Sequence, residues 1–303
     1  MGRSVLLLVN RDKPDVLSEL PEIRALIGAH GKLVAELDAN GAPITAEQSM
    51  GADLIMVLGG DGTLMGQSRR CVHLGLPMLG VNLGKLGFMA EFDLPALREQ
   101  IGDVLGGRPL LVQDRPMLRV SVSPGDPSHA ASVVDVRQVA RTLALNDVVI
   151  AAGPPYRMVS IGIRIDGVDG PTVTGDGLIV STPIGSTAYN ASAGGAIISP
   201  DVAAMALTPL AAQSLAFRPV VVNAEATIEL TLLRANDDPA LAGISGGTSV
   251  VLDGQVAWRL HAGQTVSIRK HTQPVRFVRN PKSSYWTTLI TKMRWGAPPA
   301  TRA

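Results

Sequence analysis

A glycine-rich loop, Gly59-Gly60-Asp61-Gly62-Thr63, follows the apolar run Asp53-Leu-Ile-Met-Val-Leu58 and leads into a segment of helical spacing. Glycines in such a place remove Cβ atoms, so backbone N–H groups can approach phosphate oxygens, and the helix N-terminus adds partial positive charge. Thr63 adds a hydroxyl. The loop is not the Walker type, because no Gly-Lys-Thr follows, and the third glycine of the dinucleotide fingerprint would fall on Met65 rather than Gly66. A carboxylate inside a phosphate cradle is electrostatically costly unless it accepts a proton from a nucleophile or works with a bound cation. Asp61 is therefore the candidate catalytic group. The competing assignment is a turn aspartate that caps the following helix.

A second set of polar residues sits in apolar surroundings. Leu143-Ala-Leu-Asn146-Asp147-Val-Val-Ile150 places an amide beside a carboxylate within a strand-like run, and buried polar groups need partners. The alternative is a plain turn start. Further on, Gly175-Asp176-Gly177 precedes the strand Leu178–Ser181, and then comes Thr182-Pro-Ile-Gly-Ser-Thr-Ala-Tyr-Asn-Ala-Ser-Ala-Gly-Gly195. Hydroxyls, glycines and one aromatic, Tyr189, at this density suit a nucleoside pocket, although composition alone fits a long loop equally.

The elements that must position these groups fall into two textures. Up to about residue 114, short apolar runs (4–9, 54–58, 77–81) alternate with helical segments (15–29, 64–74, 95–105), the last with Asp93 as N-cap and Pro95 in its first turn. This predicts an α/β domain with an open parallel sheet, and the loop at 59–63 lies where such sheets bind ligands. From Arg115 onward come many short β-branched runs (117–123, 143–150, 158–165, 177–181, 219–222, 226–233, 248–253, 264–269), which predict a largely antiparallel β-sandwich over 115–275. Asp253-Gly254 is a hairpin-turn signal. The closing segment, 276–303, contains helical spacing over Tyr285–Trp295 and is expected to return to the first domain, with a fraying Pro- and Ala-rich tail beyond Gly296.

Composition excludes several classes. A chain of 303 residues with 46% hydrophobic content can bury two cores, and a net charge of +1 without a basic cluster argues against a nucleic-acid or membrane-surface partner. The apolar start Ser4–Val9 is too short for a signal-peptide core, and no run of about eighteen apolar residues occurs. The single cysteine, Cys71, forms no intrachain disulfide and suits a reducing compartment, which points to the cytoplasm. It reads as a small buried hydrophobe. The five histidines show no metal-ligand spacing, and Lys85 reads as a solvated loop lysine.

Taken together, GGDGT at 59–63, LND at 145–147, GDGLIVSTPIGSTAYNASAGGAIISP at 175–200 and LTPLAAQSLAFRPVVV at 207–222 resemble the NAD kinase family in order and spacing. PMLGVNLGKLGFMAEF at 77–92 and SYWTTLITKMRW at 284–295 extend the resemblance over nearly the whole chain, weakly at the N-terminus and over 124–140. GGDGT alone is shared with lipid kinases and phosphofructokinases, whereas STPIGSTAY is highly specific. The resemblance implies transfer of the terminal phosphoryl group of ATP, or of polyphosphate, to the 2′-hydroxyl of the adenosine ribose of NAD, with Mg²⁺ or another divalent cation carried in on ATP. It implies Asp61 as the base, with Gly60, Gly62 and Thr63 in the phosphate cradle, and a dinucleotide held by Asn146, Asp147, Asp176 and the segment Thr187, Ala188, Tyr189, Asn190, Ala191 and Ser192. Phe88, Arg157, Thr174 and Gln255 fall where further ligand contacts are expected. Ile184 replaces the more usual Thr of TPTGST, and Thr174 stands where many members carry a basic residue, which bears on NAD against NADH preference. A homodimer or homotetramer is expected from the family. The alternatives are a non-catalytic dinucleotide-binding regulator and a lipid kinase sharing GGDGT. The second calls for an apolar channel that the polar segment 181–192 does not offer.

Overall fold

A computed structural model describes residues 2–42, 44–84, 87–123, 142–236 and 247–296. Lys85 and the tail beyond Gly296 lie outside them. The chain forms two compact units, one comprising residues up to Asp114 together with the chain from Val275, the other Arg115–Pro274. The sequence reading ends the β-rich domain at 275 and starts a separate segment at 276. In the structure the chain re-enters the first unit at Val275 as a strand of its sheet.

That sheet comprises β1 (Ser4–Val9), β2 (Lys32–Asp38), β3 (Leu54–Leu58), β4 (Met78–Val81), β5 (Val112–Arg115) and β18 (Val275–Val278), in the order β2-β1-β3-β4-β18-β5. Pairing from β2 through β18 is parallel. Helices α1 (Pro14–His30), α2 (Ala46–Ser49), α3 (Asp61–Cys71) and α4 (Leu94–Leu105) connect the strands. Val16, Leu20, Ile23 and Ile27 recur along α1 at helical spacing and pack with Leu97, Ile101 and Leu105 of α4 on Val5, Leu7 and Val9. Each such side chain contributes about 1.5–3 kcal/mol by leaving water. Asp93 caps α4 as the sequence predicts, its Oδ1 accepting the Ala96 N–H at 2.8 Å. From β1 the chain crosses to β2 on one side, and β3 then lies on the other side of β1. The carboxyl ends of β1 and β3 therefore flank a topological switch point, where open α/β sheets form their ligand crevice.

The second unit pairs two six-stranded antiparallel sheets. One contains β6 (Leu118–Ser123), β7 (Leu143–Ala144), β9 (Val159–Ile165), β10 (Val168–Gly175), β14 (Ile228–Arg234) and β17 (Thr265–Lys270). The other contains β8 (Asp147–Ala152), β11 (Gly177–Ser181), β12 (Ala204–Leu210), β13 (Val220–Asn223), β15 (Thr248–Leu252) and β16 (Val256–Arg259). Alternate residues of both sheets, among them Ile150, Leu178, Val250, Ile161, Leu230 and Ile268, share one core, which is the expected sandwich. The run 143–150, predicted as one strand, is two: the chain leaves the first sheet after Ala144 and joins the second at Asp147. The Asn-Asp pair thus marks a change of sheet. Asp253 and Gly254, with φ of 52° and 64°, make the expected tight turn between β15 and β16. Short helices α5 (Tyr189–Ser192) and α6 (Tyr285–Met293) follow later in the chain, and none of the described helices is long and apolar enough to cross a membrane.

Candidate active site

In the first unit, the loop after β3 bends so that Asp61 becomes the first residue of α3, with Gly60 as N-cap. Asp61 does not cap its own helix. Its carboxylate reaches across to three consecutive backbone N–H donors: Phe88 to Oδ2 at 2.7 Å, and Met89 and Ala90 to Oδ1 at 3.1 and 3.0 Å. The helix-capping assignment falls on this geometry. A carboxylate has about four acceptor positions, so among the described residues one remains open, on Oδ2. Gly87 makes the approach feasible, because a Cβ there would lie 1.7 Å from Asp61 Oδ1. Gly59, at φ 153°, has a left-handed backbone, and a Cβ on it would meet Thr63 Oγ1 at 2.6 Å. Asn10 Nδ2 donates to that same hydroxyl at 3.0 Å.

Gly59, Asp61 and Gly87 line a cleft of about 420 Å³ that also contains Lys13, Asp15, Asn82 and Lys292. A Cβ on Gly60 would lie 3.9 Å from Lys13 Nζ, and Lys292 Nζ stands 5.5 Å from the centroid of the Phe88 ring. Neither lysine forms an ion pair among the described residues. The positive end of the α3 dipole and two ammonium groups together suit an anion, and Asp61 supplies a proton acceptor beside it. Lys13, Asn82 and Lys292 escaped the sequence reading. Asn10 and Asn82 directly follow parallel strands and Lys13 stands in the connection from β1 to α1, so the rule that ligands bind at carboxyl ends was the signal available for them.

In the second unit the predicted residues separate into two groups. Strand β11 runs antiparallel to β8, pairing Ser181 with Asp147 at one end and Gly177 with Ala151 at the other. Asn146, Asp147, Gln255 and the segment from Thr182 cluster at the first end. Arg157, Thr174 and Asp176 belong to the second, about 17 Å away at the rise of a strand. Asp176 and Arg157 are exposed, and Thr174 Oγ1 lies 3.1 Å from Ser160 Oγ. Asn146 Oδ1 is enclosed without a hydrogen-bond partner among the described residues, which marks it out because buried polar atoms are nearly always satisfied. Asp147 is buried, and desolvation, with the negative charge of Asp253 beside it, pushes its carboxyl up to about 7.

The segment 187–192 divides in the same way. Tyr189 and Ser192 are exposed, Ala188 and Ala191 are half-buried, and Thr187 Oγ1 donates to the Ile184 carbonyl at 3.1 Å. Asn190 is fully enclosed. Its Nδ2 donates to the Ser186 and Ala196 carbonyls, and its Oδ1 accepts the Thr208 hydroxyl at 2.6 Å. This contradicts a ligand contact for the Asn190 side chain, which instead ties the segment to β12. A larger groove of about 540 Å³ lies over β9 and β14, but its Arg164 is paired with Asp169 and no group in it matches the chemistry at Asp61. Cys71 is buried and its thiol is pushed up to about 12 by burial, as suits an inert packing residue.

A glycine-rich loop at a switch point with an aspartate aimed into its cleft, in a chain whose second, antiparallel unit carries an unsatisfied amide, defines a class: a nucleotide-dependent phosphotransferase. Comparison with known proteins narrows it. Residues 30–108 match the model of the ATP-NAD kinase N-terminal domain, and residues 145–280 that of the ATP-NAD kinase C-terminal domain. The NAD kinase of Desulforamulus reducens is 34% identical over 95% of this chain and 96% of its own, and that of Chromobacterium violaceum 33% over 97% of each. Among solved structures, an NAD kinase from Archaeoglobus fulgidus in complex with ATP superposes with a TM-score of 0.67 at 26% identity, covering 96% of this chain and 98% of that one. Yeast NADH kinase complexed with NADH shares the fold, with a TM-score of 0.79 at 22% identity over 99% of this chain and 89% of that one. The chain belongs to the NAD kinase family.

Proposed function

We propose that this protein transfers the terminal phosphoryl group of ATP to the 2′-hydroxyl of the adenosine ribose of NAD, producing NADP. The observation that carries this reading is the Asp61 carboxylate, held by three backbone N–H groups with one acceptor position on Oδ2 left open at the mouth of a phosphate-binding loop. Oδ2 accepts the hydroxyl proton as the ribose oxygen bonds to the γ-phosphorus, and the bond to the bridging β-oxygen breaks to release ADP. The N–H groups of Gly60 and Gly62, with Lys13 and Lys292, hold the phosphate oxygens. Asn146 and Asp147 hold the dinucleotide, and Asp176, Arg157, Thr174, Gln255 and the exposed side chains of the segment at 187–192 contact its remainder.

The donor set fits a divalent cation that arrives on the triphosphate. Among the described residues no three His, Cys, Asp or Glu side chains gather to cage an ion, and a nucleotide-borne Mg²⁺ needs only one or two protein oxygens, of which Asn82 would supply one while the open position of Asp61 stays with the ribose hydroxyl. When bound, the ion neutralises charge on the phosphate oxygens. The same reading carries a cytoplasmic homodimer or homotetramer, whose subunit number light scattering measures.

The test is purified protein with ATP, Mg²⁺ and NAD, followed by an NADP-specific dehydrogenase, beside Asp61→Asn. NADP forms with the native protein, and the variant loses about 10³-fold or more in kcat while NAD affinity holds. A variant within tenfold of native turnover removes Asp61 from the chemistry.

A further inference from the structure

The Asp253-Gly254 turn does more than reverse the chain. A tight hairpin needs two residues of positive φ, and Asn-Gly meets that need as well as Asp-Gly, so the turn itself gives no reason for a carboxylate. Yet Asp253 is 7% exposed and turned inward. Its Oδ2 accepts the Leu145 N–H at 3.0 Å, and its Oδ1 accepts those of Asn146 and Asp147 at 2.7 and 3.2 Å. The Asp253 N–H in turn donates to the Asp147 carbonyl at 3.0 Å.

The donors it satisfies lie where the chain changes sheets. Between Ala144 and Asp147 the backbone has left one ladder and is only joining the next. On the acceptor side, the Leu145 carbonyl takes the Thr182 hydroxyl at 2.6 Å and the Asn146 carbonyl takes the Thr182 N–H at 2.8 Å. On the donor side the crossover depends on one carboxylate, through charge-assisted bonds that are stronger than neutral ones. With its backbone so fixed, Asn146 keeps its side-chain oxygen enclosed and unpartnered.

We propose that Asp253 is a positioning residue for dinucleotide binding, its carboxylate holding the backbone of Leu145, Asn146 and Asp147 in the conformation that presents both side chains to the ligand. This rests on the proposed reading that Asn146 and Asp147 hold NAD. It carries a consequence for pH, since the Asp253 charge adds to burial in keeping Asp147 protonated into the neutral range. Among the described residues, the strands beside β8 bring no other ionisable group to Asp147. Gly177–Ser181 and Thr248–Leu252 have none, the segment at 182–192 has only Tyr189, and on β6 Arg119 alternates with core-facing Leu118 and Val120.

Asp253→Asn and Asp253→Gly test the proposal, because both residue types tolerate positive φ and keep the turn. Amide hydrogen exchange at 145–147 without substrate reads the grip directly. It accelerates by at least tenfold in Asp253→Gly and less in Asp253→Asn, whose amide oxygen can still accept two of the bonds. With substrates, KM for NAD rises by about ten- to a hundredfold while KM for ATP is unchanged, and in Asp253→Asn the acid limb of kcat/KM for NAD moves to lower pH. Native exchange at 145–147 in both variants overturns the proposal whether or not the protein makes NADP. A native protein that makes no NADP while exchange accelerates overturns the functional reading and keeps the grip.

Discussion

Asp61 and Asp253 use the same device in different units. Each carboxylate accepts three consecutive backbone N–H groups, those of residues 88–90 in one case and 145–147 in the other. Asp61 stands at the start of α3, beside a cleft, with an acceptor position left over. Asp253 is buried in a hairpin turn, and the backbone it grips carries Asn146, whose side-chain oxygen is enclosed without a partner among the described residues. In the first unit the amides aim the carboxylate; in the second the carboxylate aims the amides. A count of hydrogen bonds cannot separate the two roles, whereas the position of the unused acceptor does.

The largest way to break the comparison is at Gly87. A methyl group there would lie 1.7 Å from Asp61 Oδ1, so in Gly87→Ala the carboxylate must give up at least part of its grip. Misplacing a reacting group by about 1 Å costs on the order of a hundredfold in rate. Gly87→Ala is therefore expected to lose about that in kcat with the melting temperature nearly native. Unchanged kcat would mean that the amides at 88–90 do not aim Asp61.

Asp147→Asn sharpens the other half. Burial and the Asp253 charge raise the folded-state Asp147 carboxyl from 3.8 to about 7. A raised pKa gives stability that is fully present below the unfolded value and is lost as pH rises through the folded one. The penalty thus develops between about pH 4 and pH 7, reaching at most about 4 kcal/mol at 1.36 kcal/mol per unit. Asn removes it, so the variant is expected to melt above the native protein at pH 8 and level with it near pH 4, while KM for NAD rises. A melting difference that stays constant across that range would show that Asp147 does not ionise under strain.

The sequence pointed to the two candidate regions and not to what holds them. GGDGT and the Asn-Asp pair are local and chemically conspicuous, as are buried β1 and β3. The amides that grip Asp61 lie 27 to 29 positions away, and those that grip Asp253 lie 106 to 108 away, so no periodicity could disclose them. Strand β10 was missed because Gly170 and Pro171 break its pattern, which an edge strand tolerates. The single strand expected over 143–150 failed for a related reason, since apolar alternation does not show that the chain changes sheets at 145–146. Asn190 was expected at the ligand from the family resemblance of its segment, yet burial commits both ends of its amide to the protein.

The smallest expected effect lies at Thr63, where the two tasks of the first unit meet. Its hydroxyl accepts from Asn10 Nδ2 at 3.0 Å, which ties the loop after β1 to the one after β3, and it still has a proton to donate to a phosphate oxygen. Thr63→Val keeps the shape, so the packing against Gly59 survives, but leaves Asn10 without that acceptor at a cost of about 1 kcal/mol. If the hydroxyl only joins the loops, that cost appears in the melting temperature and KM for ATP does not move. If it also meets the donor, KM for ATP rises several-fold beyond the effect of Asn10→Ala, which removes the tie and spares the hydroxyl. Equal KM values in the two variants would restrict Thr63 to the loop and leave the phosphates to the glycine amides and the lysines.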